Sequence, residues 1–376
     1  MHVQRSLYTT LQNQFGSNKV ILLTGARRVG KTVLMNQLAN AYDGPKLTLN
    51  GDDLTTADLL SNRRVANYQR WLGDTRLLLI DEAQVIPDVG KALKLLIDSF
   101  PNLTILATGS SAFELTNQTG EPLVGRQSAY TLYPLAQLEL GGTETYLQTR
   151  QRLDDRLIFG SYPDVVSMDN TTDRVDYLKN MVSSYLLKDI LLFEQVRNAR
   201  KMLQLLQLIA YQVGGEVSHD ELSKQLQIDR NTVVRYLDLF TKVFILFRLG
   251  GYSNNLRKEV TKSSKWYFFD NGIRNALINN FALMGQRQDV GALWENYLIA
   301  ERLKRNAYLR SQAIPYFWRT YDQQELDWVE ETNGRLNGYE FKWHTNQVRF
   351  PKGFQNAYPE SPLEVVNPEN YLDFIT

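Results

Sequence analysis

The sequence contains no cysteine and only three histidines among its 376 residues. Disulfide bonds, a thiolate nucleophile and cysteine-based zinc sites are therefore excluded, and the scattered His2, His219 and His344 cannot build a histidine-rich metal cage. No apolar run approaches the roughly 20 residues of a membrane-spanning helix, and Met1–Leu11 lacks the apolar centre of a signal peptide. We therefore expect a folded cytoplasmic protein with no membrane contact of its own.

The sequence also carries almost no net charge. It has 42 Lys and Arg residues and 41 Asp and Glu residues, so the formal charge is +1. This balance argues against a chain-wide surface for a polyanion, although a local basic patch remains compatible with it. Apolar residues make up 43% and charged residues 22%, as in ordinary globular proteins, and the length predicts two to four domains.

The distribution of apolar residues predicts an α/β domain followed by other parts. Residues 20–135 alternate short apolar runs with amphipathic stretches, which is typical of a parallel sheet flanked by helices. We predict strands at Lys19–Thr24, Lys46–Asn50, Leu77–Ile80 and Thr104–Thr108. We predict helices at 31–41, 54–72 and 88–100, and an amphipathic helical stretch at Arg174–Phe193. The predicted domains are 1–136, 137–200, 201–275 and 285–376.

A glycine-rich loop lies between the first predicted strand and the first predicted helix. In this setting the pattern G-x-x-x-x-G-K-T is the P-loop, whose backbone N–H groups and helix N-terminus bind phosphate. Lys31 would contact the β- and γ-phosphates of ATP, and Thr32 would bind Mg²⁺ through its hydroxyl. A chance glycine-rich turn is the alternative. The residues predicted to bind the nucleotide are Gly25, Ala26, Arg27, Arg28, Val29, Gly30, Lys31, Thr32 and Val33.

Two carboxylates directly follow the apolar strand Leu77–Ile80. Asp81 suits the magnesium side of a P-loop site, and Glu82 would act as the general base that takes a proton from the attacking water. A protein that only binds ATP would not need Glu82. The alternative for Glu82 is a solvated carboxylate at the end of a strand.

Two further residues are candidates for contact with the γ-phosphate. Ser110 follows the strand Thr104–Thr108, where a small polar side chain would sense the γ-phosphate or the water; a plain Gly-Ser-Ser turn explains the same residues. Arg126 is a candidate arginine finger that would stabilise transition-state charge in its own site or in a neighbour's site. An ordinary surface arginine is the alternative.

The middle of the chain predicts a helix, a turn, a second helix and a hairpin. Ser218 to Glu221 has capping-box spacing, and the helix Arg230–Lys242 would bury Val233, Leu237 and Phe240. Two strands, Val243–Leu249 and Lys265–Asp270, complete a winged-helix pattern. Residues 197–274 contain 13 Arg and Lys residues against seven Asp and Glu residues. The basic residues include two on the outer face of the second helix, Arg230 and Arg235, and four in the wing, Arg257, Lys258, Lys262 and Lys265.

This winged helix has two interpretations. With Arg230, Asn231 and Arg235 on the outer face of the second helix, it would bind DNA. As a packing module against the nucleotide domain, it would bind no nucleic acid. The sequence does not separate the two interpretations.

The C-terminal segment predicts a hairpin with charged residues on adjacent strands. Asp327 precedes the tight turn Asn333-Gly334, and the returning strand carries Glu340 and Lys342, whose side chains share one face. Two carboxylates would hold Mg²⁺ there, and the lysine would orient a water molecule. This arrangement resembles the PD-(D/E)XK nuclease centre, with Glu295 on the preceding helix at 290–304. An exposed hairpin with an ordinary Glu-x-Lys pair is the alternative.

The motifs together resemble a bacterial and archaeal family of AAA-type ATPases that carry a nuclease-like C-terminal domain. The resemblance covers nearly the whole chain and implies a P-loop NTPase parallel-sheet domain, a helical lid, a winged helix and a mixed α/β PD-(D/E)XK-like domain. One departure is Phe159-Gly-Ser-Tyr, where the family has two successive glycines. The matching motifs are Gly25–Thr32, Leu77–Gln84, Ala107–Ser111, Leu123–Arg126, Phe159–Pro163, Tyr185–Asp189, Glu325–Asp327 and Glu340–Lys342.

The resulting hypothesis is a magnesium-dependent ATPase that acts on DNA, with the nucleotide state controlling engagement. Its expected cofactors are ATP and Mg²⁺, and its expected partners are DNA and, in some assemblies, a protein or further copies of the chain. The rival hypothesis is an ATP-dependent protein-interaction switch with an inert nuclease-like domain.

Overall fold

The computed structural model describes residues 3–110, 123–186, 198–253, 264–320, 322–344 and 348–376. The chain divides into two compact units. The N-terminal unit contains residues 1–135 and 242–244, and the C-terminal unit contains residues 136–241 and 245–376. Among the described residues, no helix is long and apolar enough to cross a membrane.

The N-terminal unit is an α/β domain. Its helices are α1 (Leu7–Gln12), α2 (Lys31–Ala41), α3 (Leu54–Ser61), α4 (Val65–Leu72) and α5 (Val89–Ser99). Its strands are β1 (Val20–Thr24), β2 (Lys46–Asn50), β3 (Leu77–Asp81), β4 (Thr104–Gly109) and β5 (Gln127–Thr131). The five strands form one parallel sheet in the order β2-β3-β4-β1-β5.

The three central strands explain why the sequence signal is clear here. Every residue of β1 and β4 is buried, and only the last residue of β3 is not. A parallel sheet with both faces covered needs such continuous apolar strands. The four predicted strands and the helices at 31–41 and 88–100 are therefore confirmed.

One prediction for this unit was wrong, and one strand was not predicted. The single helix predicted at 54–72 is two helices, because the helical conformation is interrupted between Ser61 and Val65. The first of them, α3, is capped by Asp53, whose side chain accepts a hydrogen bond from the backbone N–H of Thr55 at 2.8 Å. Strand β5 was not predicted, because it lies at the edge of the sheet and its sequence, QSAYT, is mostly polar.

The C-terminal unit combines helices with a second sheet. Its helices are α6 (Gln137–Leu140), α7 (Tyr146–Gln151), α8 (Leu153–Phe159), α9 (Pro163–Ser167), α10 (Thr171–Asn180), α11 (Ala199–Tyr211), α12 (His219–Leu226), α13 (Arg230–Lys242), α14 (Asn271–Leu277), α15 (Val290–Tyr308), α16 (Lys352–Ala357) and α17 (Tyr371–Ile375). Its strands are β6 (Leu246–Gly251), β7 (Ser264–Phe268), β8 (Ile314–Arg319), β9 (Glu325–Thr332), β10 (Arg335–Phe341) and β11 (Leu363–Val366).

The six strands form one mixed sheet in the order β11-β10-β9-β8-β6-β7. The hairpin β6–β7, predicted as the wing of a separate domain, therefore belongs to the same sheet as the C-terminal strands. Strand β6 pairs in parallel with β8, Gly250 opposite Tyr316 and Gly251 opposite Phe317. The predicted boundary between 201–275 and 285–376 does not separate two sheets in this structure.

Helices α12 and α13 agree with the predicted helix, turn and helix. The Ser218 hydroxyl accepts a hydrogen bond from the backbone N–H of Glu221 at 3.3 Å, as a helix cap does. Val233, Leu237 and Phe240 are buried as predicted. The predicted wing residues Arg257, Lys258 and Lys262 lie outside the described residues, as do Leu187 to Asp189 of the Tyr185–Asp189 motif.

The motif Phe159–Pro163 forms a turn that packs against Asp270. The backbone N–H of Ser161 donates to the Asp270 carboxylate at 2.6 Å, and burial raises the pKa of that carboxyl group. The side chains of Asn271 and Asn275 donate to the backbone carbonyl of Leu157 at the end of α8. These two side chains of α14 thus satisfy a carbonyl group that the end of α8 leaves unpaired.

Candidate functional site

The glycine-rich loop connects β1 to the N-terminus of α2. Gly25 lies so close to the backbone of Leu132 that a β-carbon would overlap its carbonyl group. Gly30 directly precedes α2 and has a positive φ of 95°, a conformation that favours glycine. The two glycines of the pattern are therefore required by the shape of the loop.

Lys31 is buried under this loop, with a relative exposure of 5%. Its ammonium group donates hydrogen bonds to the backbone carbonyl oxygens of Gly25 and Ala26, each at 2.9 Å. The loop thus curls around its own lysine. A phosphate bound in the loop would meet this positive charge together with the N-terminal end of α2.

Thr32 and Asp81 meet at the carboxyl end of the sheet. The Thr32 hydroxyl donates to Asp81 Oδ2 at 2.7 Å, and the Thr108 hydroxyl donates to Asp81 Oδ1. Asp81 is therefore held from two sides. The two predicted magnesium ligands lie next to each other, although 49 residues separate them in the sequence.

Glu82 follows Asp81 in a left-handed backbone conformation with φ 49°. Its backbone N–H donates to the Thr108 hydroxyl at 3.3 Å. Its side-chain Oε2 accepts a hydrogen bond from the amide of Gln84 at 2.5 Å, and the same amide nitrogen donates to the hydroxyl of Ser110 at 3.2 Å. The predicted base and the predicted sensor are thus connected through one glutamine.

A second group of charged residues lies in the C-terminal unit. We call Glu295, Glu325, Asp327 and Glu340 the carboxylate cluster. Strands β9 and β10 are antiparallel neighbours, and Asp327 accepts a hydrogen bond from the backbone N–H of Phe341 at 2.7 Å. The ammonium group of Lys342 pairs with Glu340 at 2.6 Å. The structure therefore brings the predicted Asp327, Glu340 and Lys342 together.

Lys265 is an unpredicted member of this group. It was predicted in an exposed wing, yet only 3% of its side chain is exposed, and it forms ion pairs with Glu325 and, at 3.4 Å, with Glu295. Burial lowers its pKa, but these two carboxylates raise it above the usual value. The Tyr267 hydroxyl also donates to Glu295, at 2.6 Å. The Glu295 carboxylate therefore already has two partners, the Lys265 ammonium group and the Tyr267 hydroxyl group.

Three carboxyl groups of the cluster, those of Glu295, Asp327 and Glu340, have raised pKa values. Burial is the main cause, and it raises the pKa of Glu295 and of Glu340 to about 7. The negative charge of Asp327 also contributes to raising both pKa values. The positive charge of Lys265 opposes the increase in the pKa of Glu295, and that of Lys342 opposes it for Glu340. Burial also raises the pKa of Asp327.

Comparison with known proteins assigns three segments of the chain to families. Residues 17–141 match the AAA domain family. Residues 150–283 and 290–372 match two families described as domains of unknown function, DUF8612 and DUF4143. An uncharacterized protein of Mycobacterium tuberculosis is 28% identical over 327 residues, which cover 86% of this chain and 70% of the relative. An uncharacterized protein of Methanocaldococcus jannaschii is 23% identical over 370 residues, or 93% and 81% of the two chains.

A solved structure shares the fold. The Walker-type ATPase PABY2304 of Pyrococcus abyssi aligns with a TM-score of 0.53 at 15% identity, over 74% of this chain and 96% of that chain. This likeness and the AAA match agree with the all-parallel sheet and the loop between β1 and α2. The N-terminal unit is a P-loop NTPase domain. The AAA match also supports ATP as its ligand.

The P-loop domain has the side chains that magnesium and a nucleotide require. Thr32 and Asp81 provide adjacent hydroxyl and carboxylate oxygens, which are the ligands that Mg²⁺ prefers. Gly25 and Gly30 allow the shape of the loop, because a β-carbon at Gly25 would overlap Leu132 and Gly30 has a positive φ. The residues present therefore fit a magnesium-bound nucleotide.

Arg126 lies far from this site. It directly precedes β5, and its carbonyl oxygen accepts a hydrogen bond from Val20 at the start of β1, whereas the P-loop follows the end of β1. Its side chain pairs with Asp98 at 2.6 Å, and both side chains are about two-fifths exposed. The structure therefore does not bring Arg126 to its own P-loop, because the two lie at opposite ends of β1. Action on a neighbouring subunit stays a prediction.

Arg5 is a P-loop domain residue that the sequence did not reveal. Its guanidinium group donates to the carbonyl oxygen of Val29 inside the loop at 2.6 Å and to that of Tyr133 after β5 at 2.7 Å. It is buried, with a relative exposure of 7%. Arg5 thus fastens the loop to the neighbouring strand. An arginine 20 residues before the pattern carries no signal of this role.

The carboxylate cluster does not fit a magnesium centre. Within the described ranges, no group of three or more acidic or histidine side chains is arranged to hold a metal ion. Glu340 Oε2 is buried without a hydrogen-bond partner, which suits a ligand, but Glu295 is already neutralised by Lys265. A metal ion would have to compete with the ammonium group of Lys265 for the Glu295 carboxylate.

Proposed function

We propose that the P-loop domain binds ATP with Mg²⁺ and hydrolyses it. The observation that carries this proposal is the contact between Thr32 and Asp81, with Glu82 as the next residue and its carboxylate held by Gln84. Bound magnesium would neutralise phosphate charge beside Thr32 and Asp81. A P-loop that only bound nucleotide would have no need of a second, anchored carboxylate.

Each residue has a separate task in this reaction. Lys31 stabilises negative charge on the β- and γ-phosphates, and Asp81 would help to hold Mg²⁺. Glu82 accepts a proton from the attacking water, because water is a poor nucleophile at neutral pH. Ser110, next to the Glu82–Gln84 pair, contacts the γ-phosphate or the water and so reports whether ATP is present.

Calorimetry with Mg-ATP and a phosphate-release assay test the proposal. The parent should bind and hydrolyse ATP. Glu82→Gln should bind ATP with nearly the parent affinity but turn it over at least about 100-fold more slowly, and Lys31→Ala should lose most of the binding. The exposed Asp74→Asn in the same unit is the matched control and should behave like the parent. Hydrolysis by Glu82→Gln at the parent rate would sink the assignment.

DNA binding through α13 is a second candidate function. This helix exposes Arg230, Asn231 and Arg235 on one face and buries its apolar residues on the other. Positive charge from Arg230 and Arg248 also contributes, after burial, to lowering the pKa of His219. A basic helix face of this kind suits the major groove of DNA.

Duplex binding at two salt concentrations tests this candidate. Phosphate contacts release counterions, so the affinity should fall steeply as salt rises. The double variant Arg230→Ala and Arg235→Ala should bind about tenfold or more weakly, whereas Lys352→Ala on α16, also exposed, should not. Absent or salt-insensitive binding would favour the protein-interaction switch instead.

Phosphodiester cleavage by the carboxylate cluster has the weaker support. Asp327, Glu340 and Lys342 lie together, but Lys265 neutralises the third predicted carboxylate, Glu295. We therefore expect no metal-dependent cleavage of DNA by the parent. Cleavage that disappears in both Asp327→Ala and Lys342→Ala would reverse this conclusion.

A further inference from the structure

Gln84 has no part in the P-loop pattern, yet its amide group lies at the centre of the proposed site. It belongs to the short 3-10 turn Ala83–Val85 that follows β3, and its relative exposure is 7%. Its amide nitrogen donates to Glu82 Oε2 at 2.5 Å and to the Ser110 hydroxyl at 3.2 Å. One side chain therefore contacts the residues at the ends of two adjacent strands.

The orientation of this amide is set by charge. An amide nitrogen has two hydrogens to donate, and both are used, one for each partner. Turned end for end, the amide would place its carbonyl oxygen against the Glu82 carboxylate, which is unfavourable. The carbonyl oxygen is instead buried without a hydrogen-bond partner in the described part of the chain, which lowers the stability of the folded state. The contact with Glu82 therefore decides the orientation.

Glu82 is held at both its backbone and its side chain. Its backbone N–H donates to Asp81 Oδ1 at 3.2 Å and to Thr108 at 3.3 Å. Among the described residues, Gln84 bonds Oε2 of Glu82 and no hydrogen bond reaches Oε1, so Oε1 is the oxygen that would accept a proton. A carboxylate held through one oxygen keeps the other for the role of a general base.

We propose that Gln84 is a positioning residue that aims Glu82 at the attacking water and connects this base to Ser110. The proposal rests on the ATP hydrolysis proposed above. Gln84 touches neither phosphate nor water in this role; it acts through Glu82.

Gln84→Met tests the proposal, because methionine fills similar space but donates no hydrogen bond. The parent and variant are compared for ATP affinity by calorimetry and for kcat and KM by phosphate release. We expect an unchanged affinity and an unchanged KM, with a kcat lowered about 10- to 100-fold. Gln84→Asn, whose amide is one methylene shorter, should change kcat in the same direction with the fold intact.

A double variant separates positioning from a structural role. If Gln84 acts through Glu82, then Glu82→Gln combined with Gln84→Met should be no slower than Glu82→Gln alone. Val85→Ala, the neighbouring residue with 51% exposure, is the control and should match the parent. Additive losses, or a lower kcat accompanied by a changed KM or ATP affinity, would overturn the proposal, and so would a kcat above that of the parent.

The two proposals fail in different ways. If the folded parent does not hydrolyse ATP, or if Glu82→Gln hydrolyses it normally, the proposed function itself is wrong. If the parent hydrolyses ATP and Glu82→Gln does not, but Gln84→Met equals the parent in kcat, only the role of Gln84 is wrong.

Discussion

Gly160 lies against Asp270 so closely that a β-carbon at position 160 would overlap the Asp270 carboxyl group. The glycine also has a positive φ of 74°. The Asp270 carboxylate lies against Gly160 because it accepts a hydrogen bond from the backbone N–H of Ser161, the residue after Gly160. A buried carboxylate and a glycine turn therefore fit together as one structural unit.

Gly160→Ala should strongly destabilise the C-terminal unit. The alanine adds a steric overlap to an unfavourable backbone conformation, so we expect a loss of about 3 kcal/mol or more in the free energy of unfolding. Gly334→Ala is the matched control, because Gly334 has φ 81° but nothing within 4 Å of its would-be β-carbon. It should cost about 1 kcal/mol. Equal losses in chemical denaturation would show that the overlap has no effect.

Lys265→Met should destabilise the protein far more than Lys342→Met. Lys265 is buried between Glu295 and Glu325, so its removal leaves buried charge without a partner, at a cost of about 3–5 kcal/mol. Lys342 pairs with Glu340 but is 42% exposed, and removing a partly exposed pair costs about 1 kcal/mol or less. Denaturant titration of both variants measures the difference. Similar losses would mean that Lys265 is not the internal counter-ion of the cluster.

The carboxylate cluster should make stability depend on pH. Burial raises the pKa of Glu340 from 4.5 to about 7 in the folded state. Between these values the folded state holds a proton that the unfolded state releases, so stability falls as pH rises across this window. Glu340→Gln should therefore lose less stability between pH 5 and pH 7.5 than the parent. The exposed Glu360→Gln should keep the parent's dependence, and an identical slope in all three proteins would contradict the prediction.

Arg5→Met should weaken ATP binding although Arg5 lies outside the P-loop pattern. Its two hydrogen bonds to Val29 and Tyr133 hold the loop in shape. Without them, two carbonyl groups lose their partner, and we expect a loss of about 2–3 kcal/mol in stability together with about tenfold weaker binding. Arg63→Met, which removes a partly exposed pair with Asp88, should do neither. Calorimetry with an unchanged ATP affinity for Arg5→Met would rule out the fastening role.

The sequence predicted which residues meet at the carboxyl end of the first sheet, because the signals for them are local. The loop and Lys31 follow one apolar strand, and Asp81 and Glu82 follow another. Parallel strands end at the same edge of a sheet, so the two groups had to meet there. The contacts of Arg5 were not predictable, because an arginine that caps backbone carbonyls leaves no pattern in the sequence.

The second sheet was harder to predict because its pairing is long-range. The alternation in β6 and β7 indicates a hairpin, and the hairpin is present. Nothing in that alternation tells whether the open edge of β6 faces solvent or another strand, here β8. The same limit applies to Lys265, whose charge predicted an exposed basic wing but which lies among buried carboxylates. A charge pattern shows the sign of a residue's charge but does not show which residues surround it in the fold.

The pairing of β6 with β8 has a practical consequence for dividing this chain. A fragment that begins near residue 285 would lose β6 and β7, so the backbone groups of β8 that bond to Gly250 and Gly251 would form an open edge. It would also lose the ammonium group that neutralises Glu325. Such a fragment would expose an unpaired strand edge and uncompensated negative charge. The unpaired edge would promote aggregation.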